Sequence, residues 1–177
     1  TDHASLIDMM EGVEDIPGSA LSVGMPWGEW ESFPEYLDVL DGRRYATNVA
    51  AHIAHGPLRY YVMGDRAYDD QDATADEVAE MARLVREAFD AGAAGFSSNR
   101  FRAHMSRTGR VIPGTFVPHE ELGAIARAVA GSGHGVLQSI ADGTITPGEG
   151  SGGMPDLDQL AELSIAAGRP LTFSTFQ

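Results

Sequence analysis

Short apolar runs alternate with longer amphipathic stretches along most of this chain. Four runs of strand length end in glycine or polar residues: Asn48–Ala54, Ala94–Ser98, Gly135–Ile140 and Leu171–Phe176. The stretches that separate them are long enough for helices. Strands that alternate with helices at this spacing are typical of a parallel sheet with helical crossovers. The pattern therefore predicts an α/β fold with about four parallel strands.

Local start and stop signals position the predicted helices. Thr74 is followed three residues later by Glu77, which is the pattern of a capping box, and Gly92 predicts the end of this helix. Ser32 is a predicted N-cap for a helix that begins at Phe33-Pro34. Further helices are predicted at about Asp2 to Met10, about Pro118 to Ala130 and about Pro155 to Ala167. The helix that starts near Asp2 is expected to end at the Gly and Pro residues between Glu11 and Gly18.

The predicted sheet has features of an incomplete barrel. We expect residues 1–45 to form an irregular or helical lead-in and residues 46–177 to form four βα units. Neither outer run carries the lysine, proline or inward charge that protects a free sheet edge. The pattern therefore favours half of a (β/α)8 TIM-type barrel, completed by more polypeptide from the same gene product or from another chain.

Composition excludes several kinds of chemistry. The chain has 177 residues, a net charge of −14 and no cysteine, and its twelve basic residues are all arginine. The acidic balance argues against nucleic-acid binding, and no apolar run approaches the roughly 20 residues of a membrane span. Without cysteine or lysine the chain offers no disulfide, no Schiff base and no carbamylated lysine. These properties predict a cytoplasmic protein.

Candidate site residues follow the ends of the predicted strands, because parallel α/β sheets carry their chemistry at the carboxyl ends of their strands. The polar residues found there are His52, His55, Ser97, Ser98, Arg100, His104, Gln138, Asp142, Ser174 and Thr175. His134 precedes the third strand and is therefore expected to be structural.

Each of these residues has a functional and a structural interpretation. His52 and His55 either share a metal after a turn at Gly56-Pro57, or His55 lies at the rim of the site, or it is a structural polar residue. Arg100 either holds a substrate carboxylate or forms a salt bridge in its loop. His104 either reaches the site or faces solvent. Ser97 and Ser98 lack a nearby base, which disfavours a serine-hydrolase mechanism. Asp142 either orients a ligand or acts as a base, or it forms an ordinary turn with Gly143, which is the favoured interpretation.

Four phrases of the sequence, in their order, resemble one family. They are Leu6-Ile-Asp-Met-Met-Glu-Gly-Val-Glu-Asp-Ile-Pro-Gly18, Trp30-Glu-Ser-Phe-Pro-Glu-Tyr-Leu37, His55-Gly-Pro-Leu-Arg-Tyr-Tyr-Val-Met-Gly64 and Ala91-Gly-Ala-Ala-Gly-Phe-Ser-Ser-Asn-Arg100. Together they resemble the D-aminoacylase (N-acyl-D-amino-acid deacylase) branch of the amidohydrolase superfamily. The resemblance implies an internal segment of a barrel enzyme that acts on a small-molecule substrate. Such an enzyme uses zinc-activated water to hydrolyse the amide of N-acyl-D-amino acids or related amides.

The resemblance also implies where the zinc ligands should lie. A His-x-His pair and a cysteine are expected before Thr1, a catalytic aspartate after Gln177, and two histidines at strand ends inside the segment. The matching stretches, Gly135–Ile140 and Leu171–Phe176, contain no histidine. We therefore expect no metal to be coordinated by side chains of this chain alone.

On this interpretation the segment supplies substrate-binding groups and no identified catalytic residue. The residues assigned to substrate binding are His55, Ser97, Ser98, Arg100, His104 and Gln138. The alternative is a non-catalytic binding protein that keeps the barrel and has lost the metal site.

Overall fold

A four-stranded parallel sheet forms the centre of the chain. The computed structural model describes residues 3–69, 71–141 and 153–174, without the side chains of residues 153–156. The strands are β1 (His52–Ala54), β2 (Gly95–Arg100), β3 (Val136–Ala141) and β4 (Leu171–Phe173), and they lie in the order β1-β2-β3-β4. Each neighbouring pair is parallel. This confirms the predicted sheet of four parallel strands.

Helices connect the strands and precede the first of them. They are α1 (His3–Glu14), α2 (Gly18–Gly24), α3 (Phe33–Asp41), α4 (His55–Met63), α5 (Ala75–Asp90), α6 (His119–Ala128) and α7 (Gly153–Ala167), with a 3₁₀ helix at Gly64–Tyr68. The lead-in is therefore largely helical over residues 3–41. The domain boundary placed at residue 45 stays a prediction.

Two helices begin with the capping boxes that the sequence predicts. The Thr74 hydroxyl accepts a hydrogen bond from the backbone N–H of Glu77, and the Glu77 carboxylate accepts one from the N–H of Thr74. Ser32 and Glu35 make the same reciprocal pair at the start of α3. In both helices the side chains satisfy backbone donors that the first turn would otherwise leave unpaired.

The core lies between one face of the sheet and the helices α5, α6 and α7. Ile53, Phe96 and Leu137 supply the strand side of this layer. The helix side consists of Met81, Val85, Ala88 and Phe89 from α5, Leu122, Ile125 and Ala126 from α6, and Leu160, Leu163 and Ala167 from α7. Burial of these apolar side chains attaches the helices to the sheet.

Several elements differ from the sequence prediction. Residues 48–50 were expected in the first strand but are exposed and outside β1, and β4 ends at Phe173. Helices α2 and α4 were not predicted. Helix α1 continues through Gly12 to Glu14. Gly12 packs directly on the backbone of the chain after β2, where a Cβ would clash with the carbonyl oxygen of Met105.

Within the described residues no helix is long and apolar enough to cross a bilayer. The cytoplasmic location stays a prediction.

Candidate active site at the carboxyl edge of the sheet

The four strands end along one edge, because parallel strands point their carboxyl ends in the same direction. The chain leaves this edge at Ala54, Arg100, Ala141 and Phe173. The segment after β2, residues 101–118, is attached to α1: the backbone N–H of Arg107 donates to the carbonyl of Asp8, and the Thr108 hydroxyl donates to its carboxylate at 2.9 Å. A site at this edge is therefore built from strand ends and from the segment that follows β2.

The two faces of the sheet carry different side chains. Phe96 and Leu137 lie in the core, so residues two positions further along β2 and β3 face the same helix layer. Ser98 and Ser139 occupy those positions, and the Ser98 hydroxyl donates to the Ser139 hydroxyl at 3.1 Å. Ser139 is buried. The structure therefore places Ser98 on the helix side of the sheet.

Arg100 follows Ser98 on the same side. Its guanidinium Nη1 donates to the carbonyl oxygen of Val117 at 3.1 Å, and Val117 belongs to the core. The described contact of Arg100 is thus a backbone bond that fixes the segment before α6. The two interpretations considered from the sequence were a substrate carboxylate and a salt bridge, and this contact is neither.

The opposite face carries a cross-strand row of small and polar residues. The register pairs Ala54 with Ser97, Ser97 with Gln138, and Gln138 with Thr172. Ser97 is partly exposed, and Gln138 and Thr172 are exposed. We call these four residues the open-face row. Of the predicted substrate-binding residues, the structure brings Ser97 and Gln138 together here.

His55 lies in the interior and not at the rim of the site, which was one of the three positions considered from the sequence. It begins α4, its exposed fraction is 1%, and its Nε2 lies 2.8 Å from Oε1 of Glu121 in α6. Arg59, one helical turn later, places its Nε 3.1 Å from the same oxygen and donates to the carbonyls of Ala67 and Gln71. These three side chains, the buried triad, join α4 to α6.

The electrostatics of Glu121 follow from its two partners. Burial alone would raise the pKa of this carboxyl, but the hydrogen bonds and charges of His55 and Arg59 outweigh it and hold the pKa below 4.5. The carboxylate is therefore ionised at neutral pH, and the Arg59 guanidinium balances its charge.

His104 is held by side chains at the end of β2. Its Nδ1 lies 2.8 Å from Oδ1 of Asn99, and its ring meets Phe101 edge-on at 5.0 Å. The Asn99 amide donates to the Thr115 hydroxyl at 2.9 Å. Burial lowers the pKa of His104 below 6.5, and the negative charge of Glu14 opposes this in part. His104 is thus partly buried and oriented, and it is not a free surface histidine.

The two histidines of His-x-x-His do not meet. The His52 ring packs over Gly95, where a Cβ would lie 3.0 Å from its Nε2, whereas His55 is turned to Glu121. The interpretation of this pair as shared metal ligands is therefore wrong. Ser174 bonds through its backbone N–H to the carbonyl of Ser139. Asp142 and Thr175 lie outside the described residues.

The donors at this edge do not fit a zinc ion held by this segment alone. In the part of the chain that the structure describes, no group of three His, Asp or Glu side chains is arranged to bind a metal. The open-face row offers hydroxyl and amide oxygens, whereas zinc sites use imidazole, thiolate and carboxylate.

Sequence reasoning missed Asn99, Arg59, Thr115 and Glu121. Asn99 carries the only signal that was available beforehand, since it lies two residues after Ser97 and therefore on the same face. Glu121 resembles an ordinary acidic residue in the first turn of a helix. Its role depends on α4, which the sequence did not predict.

Comparison with known proteins identifies the family. The model of the family described as "Amidohydrolase family" matches residues 1–176. An uncharacterised protein of Mycobacterium tuberculosis is 30% identical over 148 residues, which are 76% of this chain and 23% of that protein. The N-acyl-D-glutamate deacylase of Alcaligenes xylosoxydans xylosoxydans is 31% identical over 122 residues, 67% of this chain and 22% of the enzyme.

A solved structure of a D-aminoacylase with a binuclear metal centre superposes with a TM-score of 0.62 at 26% identity. The match covers 79% of this chain and 26% of that one. The chain therefore belongs to the amidohydrolase family, and its sheet is part of a (β/α)8 TIM-type barrel. It spans about a quarter of the length of the relatives it matches.

Proposed function

We propose that this chain is part of an amidohydrolase that hydrolyses the amide bond of N-acyl-D-amino acids or related amides. The observation that carries the proposal is the family match over residues 1–176. The relatives named as a D-aminoacylase and an N-acyl-D-glutamate deacylase support the substrate class. No observation favours the non-catalytic alternative.

The proposed contribution of this segment is substrate binding on the open face of the sheet. Ser97 and Gln138 lie side by side there, with Thr172 beyond Gln138. Hydroxyl and amide groups both donate and accept hydrogen bonds, and therefore suit the acyl carbonyl and the carboxylate of the substrate. His55, Ser98 and Arg100 have partners on the helix side, which supports a positioning role for them in place of direct contact.

We further propose that the full-length protein holds a metal, with zinc as the expected ion, through ligands that lie mostly outside this segment. The binuclear centre of the related D-aminoacylase supports a metal. The donor set described above supports an origin of the ligands elsewhere. The outer strands β1 and β4 would then pair with the remaining strands of the barrel, whether these come from the same gene product or from another chain.

The test uses the full-length protein with N-acetyl-D-amino acids and their L enantiomers, and measures the amino acid released. We expect hydrolysis with a preference for the D series, a stoichiometric metal, and loss of activity on chelation. Tight binding of N-acyl amino acids without hydrolysis would support the non-catalytic alternative instead.

A matched pair of variants tests the part played by the open face. Ser97→Ala removes a hydroxyl from that face, whereas Ser98→Ala removes the neighbouring hydroxyl from the helix side. We expect Ser97→Ala to raise KM about tenfold, the effect of one lost hydrogen bond, and Ser98→Ala to act mainly on stability. Equal effects on KM would contradict the assignment of the two faces.

A further inference from the structure

A chain of hydrogen bonds at the end of β2 determines which ring nitrogen of His104 carries the proton. It begins at the carbonyl oxygen of Ile112, which can only accept. The Thr115 hydroxyl lies 2.8 Å away and donates its single proton there. The hydroxyl oxygen of this buried threonine is then left to accept, and the Asn99 amide nitrogen donates to it at 2.9 Å.

The orientation of the Asn99 amide follows from these partners. Its nitrogen also faces the carbonyl oxygen of Phe101 at 3.4 Å. A flipped amide would place Oδ1 against this carbonyl oxygen, and neither oxygen has a proton to donate. With the nitrogen on this side, Oδ1 points to His104 and accepts from Nδ1 at 2.8 Å. The proton of a neutral His104 therefore resides on Nδ1, and Nε2 keeps its lone pair.

Nε2 of His104 has no hydrogen-bond partner among residues 3–69, 71–141 and 153–174. Asn99, which fixes the ring, lies on the face that carries Ser97 and is the penultimate residue of β2. The imidazole thus stands at the carboxyl edge of the sheet, where barrels of this type carry their chemistry. Because burial lowers its pKa, the ring is neutral at physiological pH.

We propose that His104 is a specificity-determining residue whose Nε2 accepts a hydrogen bond from the N–H of the scissile amide. The inference rests on the proposed function. An N-acyl amino acid in its carboxylate form has one N–H donor in its backbone, the amide itself, while its carbonyl and carboxylate oxygens only accept. A fixed acceptor therefore recognises that N–H and disfavours an ester, in which oxygen replaces it.

The first experiment determines the tautomer in the full-length protein without substrate. Long-range ¹H–¹⁵N NMR spectra of ¹⁵N-histidine-labelled protein distinguish a protonated Nδ1 from a protonated Nε2. We expect the Nδ1–H form in the wild type and in Thr115→Ser, which keeps the hydroxyl. Thr115→Val removes the hydroxyl and should produce a mixture of tautomers. An Nε2–H tautomer in the wild type would overturn the proposal.

The second experiment compares kcat/KM for an N-acyl-D-amino acid with kcat/KM for the matching O-acyl ester. His104→Asn keeps an N–H near the position of Nδ1 and deletes Nε2. We expect the amide-to-ester ratio to fall about tenfold, the effect of one lost hydrogen bond. His134→Asn is the matched control, because His134 precedes β3 at the opposite edge, and it should leave the ratio unchanged.

The outcomes separate this inference from the proposed function. If the wild type hydrolyses N-acyl-D-amino acids and His104→Asn folds but keeps the ratio, the role of His104 is refuted and the function stands. If the wild type hydrolyses neither compound, the proposed function fails, and the substrate role of His104 fails with it even when the tautomer is as expected. If His104→Asn does not fold, Thr115→Val tests the same contact, and an unchanged ratio in that variant refutes the proposal.

Discussion

Replacing Glu121 with leucine is expected to destabilise the protein strongly, because it removes the shared partner of two buried side chains. His55 and Arg59 are 1% and 2% exposed, and each contacts the same carboxylate oxygen at 2.8 and 3.1 Å. Removing one member of a buried charged group leaves the others unpaired, at a cost of about 3–5 kcal/mol. That is a large part of the roughly 5–15 kcal/mol that stabilises a typical domain.

Urea unfolding of the full-length protein measures this loss. With an m value of about 2 kcal/mol per molar urea, a loss of 4 kcal/mol moves the midpoint by about 2 M. Hydrogen exchange in α4 and α6 should increase more than exchange elsewhere, since the triad joins these two helices. The matched control is Glu120→Leu, which changes the neighbouring exposed carboxylate and should alter stability by no more than about 0.5 kcal/mol.

A second variant separates loss of the pairing from loss of the side chain. Arg59→Met combined with Glu121→Leu removes both charges and replaces them with apolar groups. We expect this double variant to be more stable than Glu121→Leu alone, because the Arg59 guanidinium is then no longer left buried without its carboxylate partner. If Glu121→Leu costs no more than Glu120→Leu, or if the double variant is no more stable than the single one, the reasoning about the triad is refuted.

Three further predictions concern separate features. Thr74→Ala should destabilise the protein by about 1 kcal/mol in thermal unfolding, because α5 loses its N-cap, whereas Thr74→Ser should keep most of that stability. Equal stability of the Ala and Ser variants would contradict the role of the cap. Gly114→Ala should cost about 2 kcal/mol or more, because φ is +95° and a Cβ would lie 2.5 Å from Nδ1 of His55. Gly109→Ala, with φ +81° and open space around it, should cost clearly less in the same urea titration. Because folding lowers the pKa of Glu121 from 4.5, its carboxylate stabilises the folded state above that pH, and this stabilisation is lost as the pH falls through the lower pKa of the folded state. Glu121→Gln should therefore remove this carboxylate's share of the loss of stability on acidification. An unchanged dependence of stability on acid pH would contradict this role of Glu121.

The parts of the fold that could be predicted from sequence are those with local causes. The capping box at Thr74 and Glu77 and the apolar stripe after it specify α5 without reference to the rest of the chain. Helix α4 has no such signal, since His55-Gly-Pro begins like a turn. It is held by the contact between Arg59 and Glu121, which are 62 residues apart, and a single-sequence pattern does not reveal a contact of that range.

The candidate site could be predicted by position but not by orientation. Strand ends led to Ser97, Ser98 and Gln138, yet alternation along a strand sends Ser97 and Ser98 to opposite faces. Which face is the open one depends on where α5, α6 and α7 pack. His104 was found as a loop histidine, but its direction is set by Asn99 and by Thr115, which the fold alone brings together.

The unequal faces of the sheet have a consequence for how this protein can change. The packed layer between strands and helices uses one set of alternate strand positions, and Ser97, Gln138 and Thr172 belong to the other set. Substitutions at these open-face positions change the side chains that a ligand would contact and leave every core side chain unchanged. A library confined to these three positions should therefore yield mostly folded variants with altered ligand preferences. One confined to Phe96, Leu137 and Leu171 should yield mostly unfolded ones. New specificities could thus accumulate on this scaffold at little risk to its folding.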